Sequence, residues 1–202
     1  MNNETEKRVA PSAERNKVPI LNELQKLVGK GDKVLEIGSG TGQHACFFAG
    51  EMPQIVWQPT ELPGELTQIR RWMADENREN ILNPVEFDVT QADWPFRDFD
   101  LAYTCNTLHI MSEPAVQCLF DGVAGVLGNS GCLCAYGPFS FNGEHTAASN
   151  AEFDVMLRTG NPDQGVRDMA WLNELAEASS LQPANCTAMP SDNFFAVWER
   201  AS

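Results

Sequence analysis

The sequence predicts an α/β fold of the doubly wound type, built on a mostly parallel sheet of seven strands. Short apolar and β-branched runs alternate with stretches of helical periodicity along the 202 residues, and this alternation is typical of a parallel sheet flanked by helices. A glycine-rich turn leads from the first predicted strand into a helix. The turn at 190–193 is so short that the last two strands are predicted to form an antiparallel hairpin.

The predicted elements follow one another without an internal repeat. Residues 1–17 are polar and mixed in charge, which predicts a flexible N-terminal arm, and residues 18–202 are expected to form one domain. Helices are predicted at 18–28, 41–49, 66–78, 113–127, 149–158 and 168–179. Strands are predicted at 33–37, 54–60, 84–89, 99–106, 131–137, 184–189 and 194–199. Ser149 and Glu152 have the spacing of a capping box at the start of the fifth helix.

Composition and charge limit the class of function. Apolar residues make up 43% of the chain and charged residues 21%, close to the averages of globular proteins. The net charge of −14 disfavours nucleic-acid and membrane-surface partners, because an acidic surface repels phosphates and anionic headgroups. No apolar run approaches the roughly 20 residues of a membrane helix, and the amino terminus lacks the apolar stretch of a secretory signal. We therefore expect a cytoplasmic protein.

The cysteines do not form a pattern that predicts a metal site or a disulfide framework. The chain has 6 cysteines without a C-x-x-C pair and only 3 histidines to accompany them. Several cysteines stand in apolar runs, which favours buried, reduced thiols. Cys132 and Cys134 are two residues apart on a predicted strand and would share one face of it.

The most informative segment is VLEIGSGTGQH, residues 34–44, which contains Gly38, Gly40 and Gly42 between a strand and a helix. Such glycines let a ligand approach the backbone, and the helix offers unpaired N–H groups to an anionic part of it. The loop departs from the dinucleotide fingerprint at Gln43. It also lacks the lysine of a phosphate-binding P-loop. Glu36 would repel a pyrophosphate but suits a ligand with a positive centre. An ordinary strand-to-helix turn is the alternative interpretation.

Two further acidic residues stand at predicted strand ends. Glu61 ends the second strand, where a carboxylate can accept hydrogen bonds from ribose hydroxyls, and Asp88 lies at the end of the third. Each residue alone could be a solvated charge. Together with Glu36 they fall at the carboxyl edge of successive strands, where open α/β sheets bind ligands.

The E-x-G-x-G-x-G pattern that begins at Glu36 resembles the first motif of the class I, seven-β-strand S-adenosylmethionine-dependent methyltransferases, which have a Rossmann-like fold. Their cofactor carries a sulfonium, an ammonium and a carboxylate but no phosphate. The resemblance implies that the glycine loop holds the methionine end and that Asp88 contacts the adenine amino group. The implied cofactor-binding residues are Arg15, Asn16, Glu36, Gly38, Ser39, Gly40, Gly42, Glu61, Asp88, Val89 and Asn106.

The resemblance extends beyond the glycine loop. The segments APSAERNKVPIL, QPTE, CNTLHIMS, YGPF and SNAEFDVMLRTGNPDQGVRD resemble a methyltransferase-like family long catalogued as a domain of unknown function. This similarity spans Pro11 to Arg200 and implies that Arg15 and Asn16, in the N-terminal arm, close over the cofactor site.

A methyl acceptor is expected over the ends of the fourth and fifth strands. Asn106, His109 and Tyr136 are the candidate catalytic residues there, with His109 as an acceptor contact or general base. The alternatives are a structural histidine and an asparagine that caps the backbone at a strand end. CNTL departs from the N/D-P-P-Y/F motif of amino-group methyltransferases, which disfavours methylation of DNA adenine or protein glutamine.

A long connection, residues 139–168, separates the fifth strand from a later helix, and we call it the lid segment. Its aromatic and amide residues favour a small molecule over a polymer. Arg158 and Arg167 could hold a substrate carboxylate, or they could pair with neighbouring aspartates. The candidate substrate-binding residues are Phe139, Phe141, Asn150, Arg158 and Arg167.

These observations predict a methyltransferase that uses S-adenosylmethionine on a small-molecule acceptor, releases S-adenosylhomocysteine and needs no metal. One alternative is a protein that binds the cofactor without catalysis. The other, a nucleotide-dependent oxidoreductase, is weakened because Tyr103 and Tyr136 lack the lysine of a Y-x-x-x-K pair and no lysine follows Lys33.

Overall fold

A computed structural model describes residues 7–201, and the chain divides into two units at Asp88 and Val89. We call residues 7–88 the first unit and residues 89–201 the second unit. Residues 1–6 of the predicted flexible arm lie outside the described residues. The mobility of the arm and the single domain over 18–202 stay predictions.

The first unit contains three parallel strands with three helices. Its elements are α1 (Pro11–Leu24), β1 (Lys33–Ile37), α2 (Gln43–Glu51), β2 (Val56–Glu61), α3 (Thr67–Glu76) and β3 (Val85–Glu86). The strands lie in the order β3-β2-β1, and both pairings are parallel. Val34 and Leu35 of β1 have no exposed surface, as expected for a strand that is covered on both faces.

The second unit contains the remaining strands, of which four belong to the main sheet and three form a small separate sheet. Its elements are β4 (Phe99–Cys105), α4 (Glu113–Val126), β5 (Leu127–Gly137), β6 (Phe139–Phe141), β7 (Glu144–His145), α5 (Ala148–Gly160), β8 (Arg167–Asp168), α6 (Met169–Ala178), β9 (Leu181–Met189) and β10 (Asn193–Arg200). The four main strands lie in the order β4-β5-β10-β9, with β4 parallel to β5. β10 is antiparallel to both β5 and β9. Seven mostly parallel strands with an antiparallel C-terminal hairpin confirm the predicted fold class.

The predicted start of the first helix was wrong by seven residues. The periodicity indicated residues 18–28, whereas α1 begins at Pro11 and continues through Pro19. Proline is favoured in the first turn of a helix, where its missing N–H costs nothing. The early turns are stabilised by Ala13 and Asn16, which are both buried.

Three smaller predictions also need correction. The third strand comprises only Val85–Glu86, so that Asp88 follows the strand instead of ending it. β5 begins at Leu127, directly after α4. The capping box is absent from α5, because the helix begins at Ala148 and its N-cap, Ala147, has no side chain to accept a hydrogen bond.

The lid segment contains regular secondary structure and is not an irregular loop. It contains β6, β7 and α5 and ends in β8, and the three strands form a small sheet in the order β7-β6-β8. β6 and β7 are antiparallel, whereas β6 and β8 are parallel. Sequence periodicity indicated the helix but not these strands of two or three residues.

The six cysteines are free thiols. Cys132 and Cys134 share a face of β5 with their Sγ atoms 4.0 Å apart, which confirms their predicted arrangement. Cys186 is exposed, contrary to the expectation of buried thiols. Between residues 7 and 201 no cluster of three metal-ligating side chains is found. No helix in that range has the length and hydropathy to cross a membrane.

Candidate functional site

The glycine loop joins β1 to α2 in a backbone conformation that favours glycine. Gly38, Gly40 and Gly42 have φ angles of 75°, 56° and 83°. Gly42 is also closely packed, since a Cβ there would lie 2.8 Å from the Cα of Ile69. The loop therefore needs glycine at position 42 for space as well as for conformation.

Hydrogen bonds fasten this loop to the end of β2. The Ser39 N–H donates to the Thr60 carbonyl at 2.8 Å, and the Thr60 N–H donates to Ser39 Oγ at 3.2 Å. The Thr60 hydroxyl donates to the Glu36 carbonyl at 2.7 Å. These hydrogen bonds fix the position of the loop relative to β2.

Glu36 is a buried carboxylate, with 2% of its surface exposed. Trp57 Nε1 donates to Glu36 Oε2 at 3.0 Å, and Ser39 Oγ donates to the same oxygen at 2.8 Å. Burial raises the pKa of Glu36 to about 7, although both hydrogen bonds act in the opposite direction, and the charge of Glu61 raises it further. A cationic ligand group beside Glu36 would favour the charged carboxylate.

Glu61 lies against the glycine loop, and its predicted contact with ribose hydroxyls stays a prediction. Its Oε2 accepts a hydrogen bond from the Gly40 N–H at 2.6 Å, and its Oε1 accepts one from Leu62 N–H at 2.9 Å. Asp88 is half-buried just after β3, and Val89 is buried at the start of the second unit. The structure therefore brings Glu36, Glu61 and the loop together within the first unit.

The N-terminal segment is attached to the same loop through α2. Gln43, the first residue of α2, donates from Nε2 to Glu14 at 2.7 Å and accepts from the Ala10 N–H at 3.0 Å. His44 Nε2 lies 2.8 Å from Asn16 Oδ1. Asn16 is therefore held by α2. Arg15, which was predicted to close over the cofactor site together with Asn16, is exposed.

Gln43, His44 and Trp57 are neighbours of the candidate site that the sequence did not indicate. Gln43 served only to exclude a dinucleotide fingerprint, and its bonding partners are 29 and 33 residues away. Burial lowers the pKa of His44 to about 4, so this ring is neutral at pH 7. The sequence signal for these contacts was the presence of polar residues in both segments: Gln43 and His44 after the last glycine, and Glu14 and Asn16 in α1.

In the second unit, Asn106 and His109 follow the end of β4. Asn106 has a φ of 56°, and its N–H donates to the Tyr136 carbonyl at 2.8 Å. A Cβ built on Gly137 would lie 3.8 Å from both Asn106 Oδ1 and His109 Nδ1. The amide oxygen and the imidazole nitrogen thus approach the same side of Gly137. Tyr136 is buried in β5.

His109 is a buried, neutral imidazole, with 7% of its surface exposed. Its ring meets the edge of Phe153 of α5 with the ring centroids 5.1 Å apart. Burial, and then the charge of Arg167, lowers the pKa of His109 to about 4. The ring is therefore unprotonated at neutral pH, and its lone pair can accept a hydrogen bond. Its lowered pKa also makes it a weaker base than an ordinary imidazole.

The candidate residues Asn150, Phe139 and Phe141 of the lid segment are packed or hydrogen-bonded inside the second unit. Asn150 donates to Thr146 Oγ1 at 3.1 Å and to the Asp192 carbonyl at 2.9 Å. Phe139 is buried, and Phe141 packs against Phe194 with ring centroids 4.9 Å apart. These contacts stabilise the lid segment itself.

The two arginines have different surroundings. Arg158 is exposed and donates from Nε to both carboxylate oxygens of Asp154, at 3.1 and 3.0 Å. The Arg167 side chain is only 3% exposed. Its guanidinium donates to the carbonyls of Leu108, Met111 and Asp163 and to Glu113. These contacts favour the interpretation in which the arginines have internal partners.

A polar cavity of about 320 Å³ adjoins these arginines within the second unit. Arg158, Arg167 and His145 contribute to its lining, and His145 Nδ1 is buried without a hydrogen-bond partner among residues 7–201. The lining residues are Glu113, Ser140, Gly143, His145, Asp154, Arg158, Val166, Arg167, Asp168 and Trp171.

A family model described as "Protein of unknown function (DUF938)" matches residues 7–200. Solved structures with the same fold include an O-methyltransferase family protein from Burkholderia thailandensis, with 15% identity and a TM-score of 0.80. The match covers 95% of this chain and 58% of that protein. Human N-acetylserotonin methyltransferase, solved in complex with S-adenosylmethionine, has 12% identity and a TM-score of 0.78, with 95% of this chain covering 53% of that one.

A third similar structure is the O-methyltransferase family 2 protein from Planctomyces limnophilus in complex with apigenin. It has 14% identity and a TM-score of 0.76, and 94% of this chain covers 60% of that chain. This chain thus spans between about half and three-fifths of the length of these proteins. At such identities the similarity shows a shared fold.

Proposed function

We propose that this chain, which belongs to the DUF938 family, is a methyltransferase that uses S-adenosylmethionine to methylate a hydroxyl group of a small molecule. The observation that carries the proposal is the glycine loop, with the Glu36 and Glu61 carboxylates held against it. S-adenosylmethionine supplies an electrophilic methyl group on a sulfonium, and nothing in its chemistry requires a phosphate site.

The residues of the first unit fit this cofactor. The loop contains no lysine for a phosphate, whereas Glu36 offers a negative charge to an ammonium group. The space at Gly40, where a Cβ would meet nothing within 4 Å, leaves room for a ligand against the backbone. Glu61 would accept hydrogen bonds from ribose hydroxyls, and Asp88 would receive the adenine amino group. Arg15 and Asn16 would complete the site from α1.

The residues of the second unit fit a hydroxyl acceptor. His109 would accept the proton that the hydroxyl loses, because its imidazole is neutral at physiological pH. Asn106 would orient the same hydroxyl, since its amide and the imidazole approach the same side of Gly137. Phe153 of α5 packs against the His109 ring and would cover it on that side.

The small-molecule class of acceptor has two supports. The net charge of −14 disfavours a nucleic-acid substrate. The neighbour from Planctomyces limnophilus was solved with apigenin, a small molecule that carries hydroxyl groups. A cytoplasmic location, where free thiols persist, stays a prediction.

Cofactor binding without catalysis is the second candidate function. It is favoured by the lid segment, where Asn150 and Arg167 are already committed to internal hydrogen bonds. Such a protein would bind S-adenosylmethionine through the first unit and would bind no methyl acceptor beside Asn106 and His109.

Transfer of an isotopically labelled methyl group to a library of hydroxylated small molecules tests the proposal. We expect a labelled ether product from at least one phenol or alcohol, with S-adenosylhomocysteine formed in equal amount. The matched control is Arg71→Lys, which keeps the charge of an α3 residue outside the candidate site. Cofactor binding without transfer to any library member would favour the second candidate, and label found only in amines would contradict hydroxyl methylation.

A further inference from the structure

Glu36 uses its two carboxylate oxygens unequally. The Trp57 indole N–H and the Ser39 hydroxyl both donate to Oε2, at 3.0 and 2.8 Å. Among residues 7–201, no donor forms a hydrogen bond with Glu36 Oε1. One oxygen is therefore fixed to the protein, and the other is left for a further donor.

The hydrogen bonds from Trp57 and Ser39 stabilise the charged form of Glu36, whereas burial and the charge of Glu61 destabilise it. Glu36 is buried, and a buried carboxylate is costly unless it is hydrogen-bonded or paired with a cation. Glu61, at the end of β2, adds a second negative charge nearby. On α2, burial raises the pKa of the Cys46 thiol to about 12, with smaller contributions from Glu76 and Glu36.

Trp57 is suited to a precise role in this arrangement. It is fully buried in β2, where it pairs in register with Val34, two residues before Glu36 on β1. Its ring packs against Phe48 of α2 with ring centroids 5.5 Å apart. The indole N–H thus has a direction fixed by strand pairing and by aromatic packing. Ser39 is equally constrained, because its hydroxyl also accepts from the Thr60 N–H.

We propose that Trp57 and Ser39 are positioning residues for the cofactor: they anchor one oxygen of Glu36 so that the other meets the ammonium group of the methionine end. The inference rests on the proposed function. Because burial raises the pKa of Glu36 to about 7, ligand binding is coupled to loss of a proton from this carboxyl group. Affinity then increases as the pH rises through this range. Losing either donor moves the increase to higher pH, since both hydrogen bonds favour the charged form.

Calorimetric titration with S-adenosylhomocysteine, which carries the ammonium but no sulfonium, tests this between about pH 6 and pH 8. For Trp57→Phe we expect a loss of roughly three- to tenfold in affinity at pH 7, and a smaller loss at pH 8. Ser39→Ala should behave in the same way, and Ser39→Thr should restore the profile because it keeps the hydroxyl. Glu36→Gln should bind weakly at every pH.

Trp198→Phe is the matched control, because Trp198 is also buried and donates its indole N–H to Asn173 Oδ1 at 2.9 Å in the second unit. Its pH profile should match that of the unchanged protein. A loss in Trp57→Phe that is equal at every pH would overturn the proposal and leave Trp57 a purely structural role. A pH-independent affinity of the unchanged protein would overturn it as well. If Trp57→Phe does not fold, the Ser39 pair decides the question. Absence of binding by the unchanged protein would instead refute the proposed function.

Discussion

The two units build their candidate sites in different ways. In the first unit, backbone groups of the glycine loop, Glu36 and Glu61 converge over the ends of two neighbouring strands. In the second unit, Asn106 Oδ1 and His109 Nδ1 both lie close to Gly137, while Arg167 and Asn150 hold the lid segment together. The proposed cofactor site is thus formed by a short glycine motif and the end of the neighbouring strand, whereas the proposed acceptor site depends on side chains near the end of β4 and on α5.

The electrostatic properties of the two sites differ in the same way. Burial raises the pKa of Glu36 to about 7, so this carboxyl gains its charge most readily beside a cation. Burial lowers the pKa of His109 to about 4, so this imidazole is unprotonated at physiological pH. A carboxylate that could pair with the ammonium group of the cofactor and an unprotonated imidazole in the other unit both fit the proposed reaction.

Replacement of His109 should have the largest effect, and it tests the second unit. We expect His109→Ala to retain cofactor affinity and to lower turnover by roughly 10²- to 10⁴-fold, the usual contribution of a general base. His109→Gln should be equally slow, because it keeps hydrogen bonding but not basicity. Rates from single-turnover assays provide the measurement. Recovery of turnover in the glutamine variant would assign His109 a structural role.

The pH profile of the unchanged protein gives a second view of the same residue. Protonation would inactivate the base, and the lowered pKa of about 4 places this loss far below neutrality. We therefore expect no decline in turnover from His109 as the pH falls from about 8 to 6 at saturating cofactor. A decline centred near the ordinary histidine pKa of about 6.5 would contradict the buried, neutral imidazole.

Substitution of Gly42 tests whether the first unit depends on its backbone. Gly42→Ala should destabilise the protein by about 3 kcal/mol, because it combines a left-handed backbone with a contact of 2.8 Å to Ile69 Cα. Gly40→Ala is the matched control, with a left-handed φ but nothing within 4 Å, and it should cost only about 1 kcal/mol. Urea denaturation measures both. Equal costs would show that the close packing of Gly42 is relieved by movement.

Substitution of Arg167 tests whether the lid arginines are structural. Arg167→Met should destabilise the protein by about 2 kcal/mol, because it leaves buried carbonyls without their donor. Arg158→Ala removes an exposed ion pair with Asp154 and should cost less than about 1 kcal/mol. Thermal unfolding distinguishes the two. A stable Arg167→Met protein that binds acceptor weakly would instead support the substrate contact.

The same contrast explains what could be predicted from the sequence. The glycine loop and Glu36 are contiguous, and Glu61 follows from the rule that parallel strands end at one edge, so the sequence predicts that these residues lie together, and the structure brings them together. Trp57 was missed because nothing local indicates that its indole reaches a carboxylate 21 residues away. The role of Arg167 was equally hidden, because its acceptors include the Leu108 carbonyl, 59 residues away.

The boundaries of several elements were hidden for the same reason. The first turn of α1 is bound by Gln43, which contacts Ala10 and Glu14 from 33 and 29 residues away. β6, β7 and β8 are too short to show an alternating pattern, and they form because they pair with one another. Local sequence predicts the long elements, and tertiary contacts determine the short ones.

Calorimetric titration of the full chain with S-adenosylmethionine tests the central claim most directly, with NAD as the comparison ligand. We predict binding of S-adenosylmethionine at one site and no binding of NAD, because Glu36 repels a pyrophosphate and attracts an ammonium. Glu61→Ala should weaken this binding by roughly 1–3 kcal/mol, as expected when hydrogen bonds to a charged acceptor are lost. Binding of NAD, or unchanged affinity in a folded Glu61→Ala variant, would contradict the account.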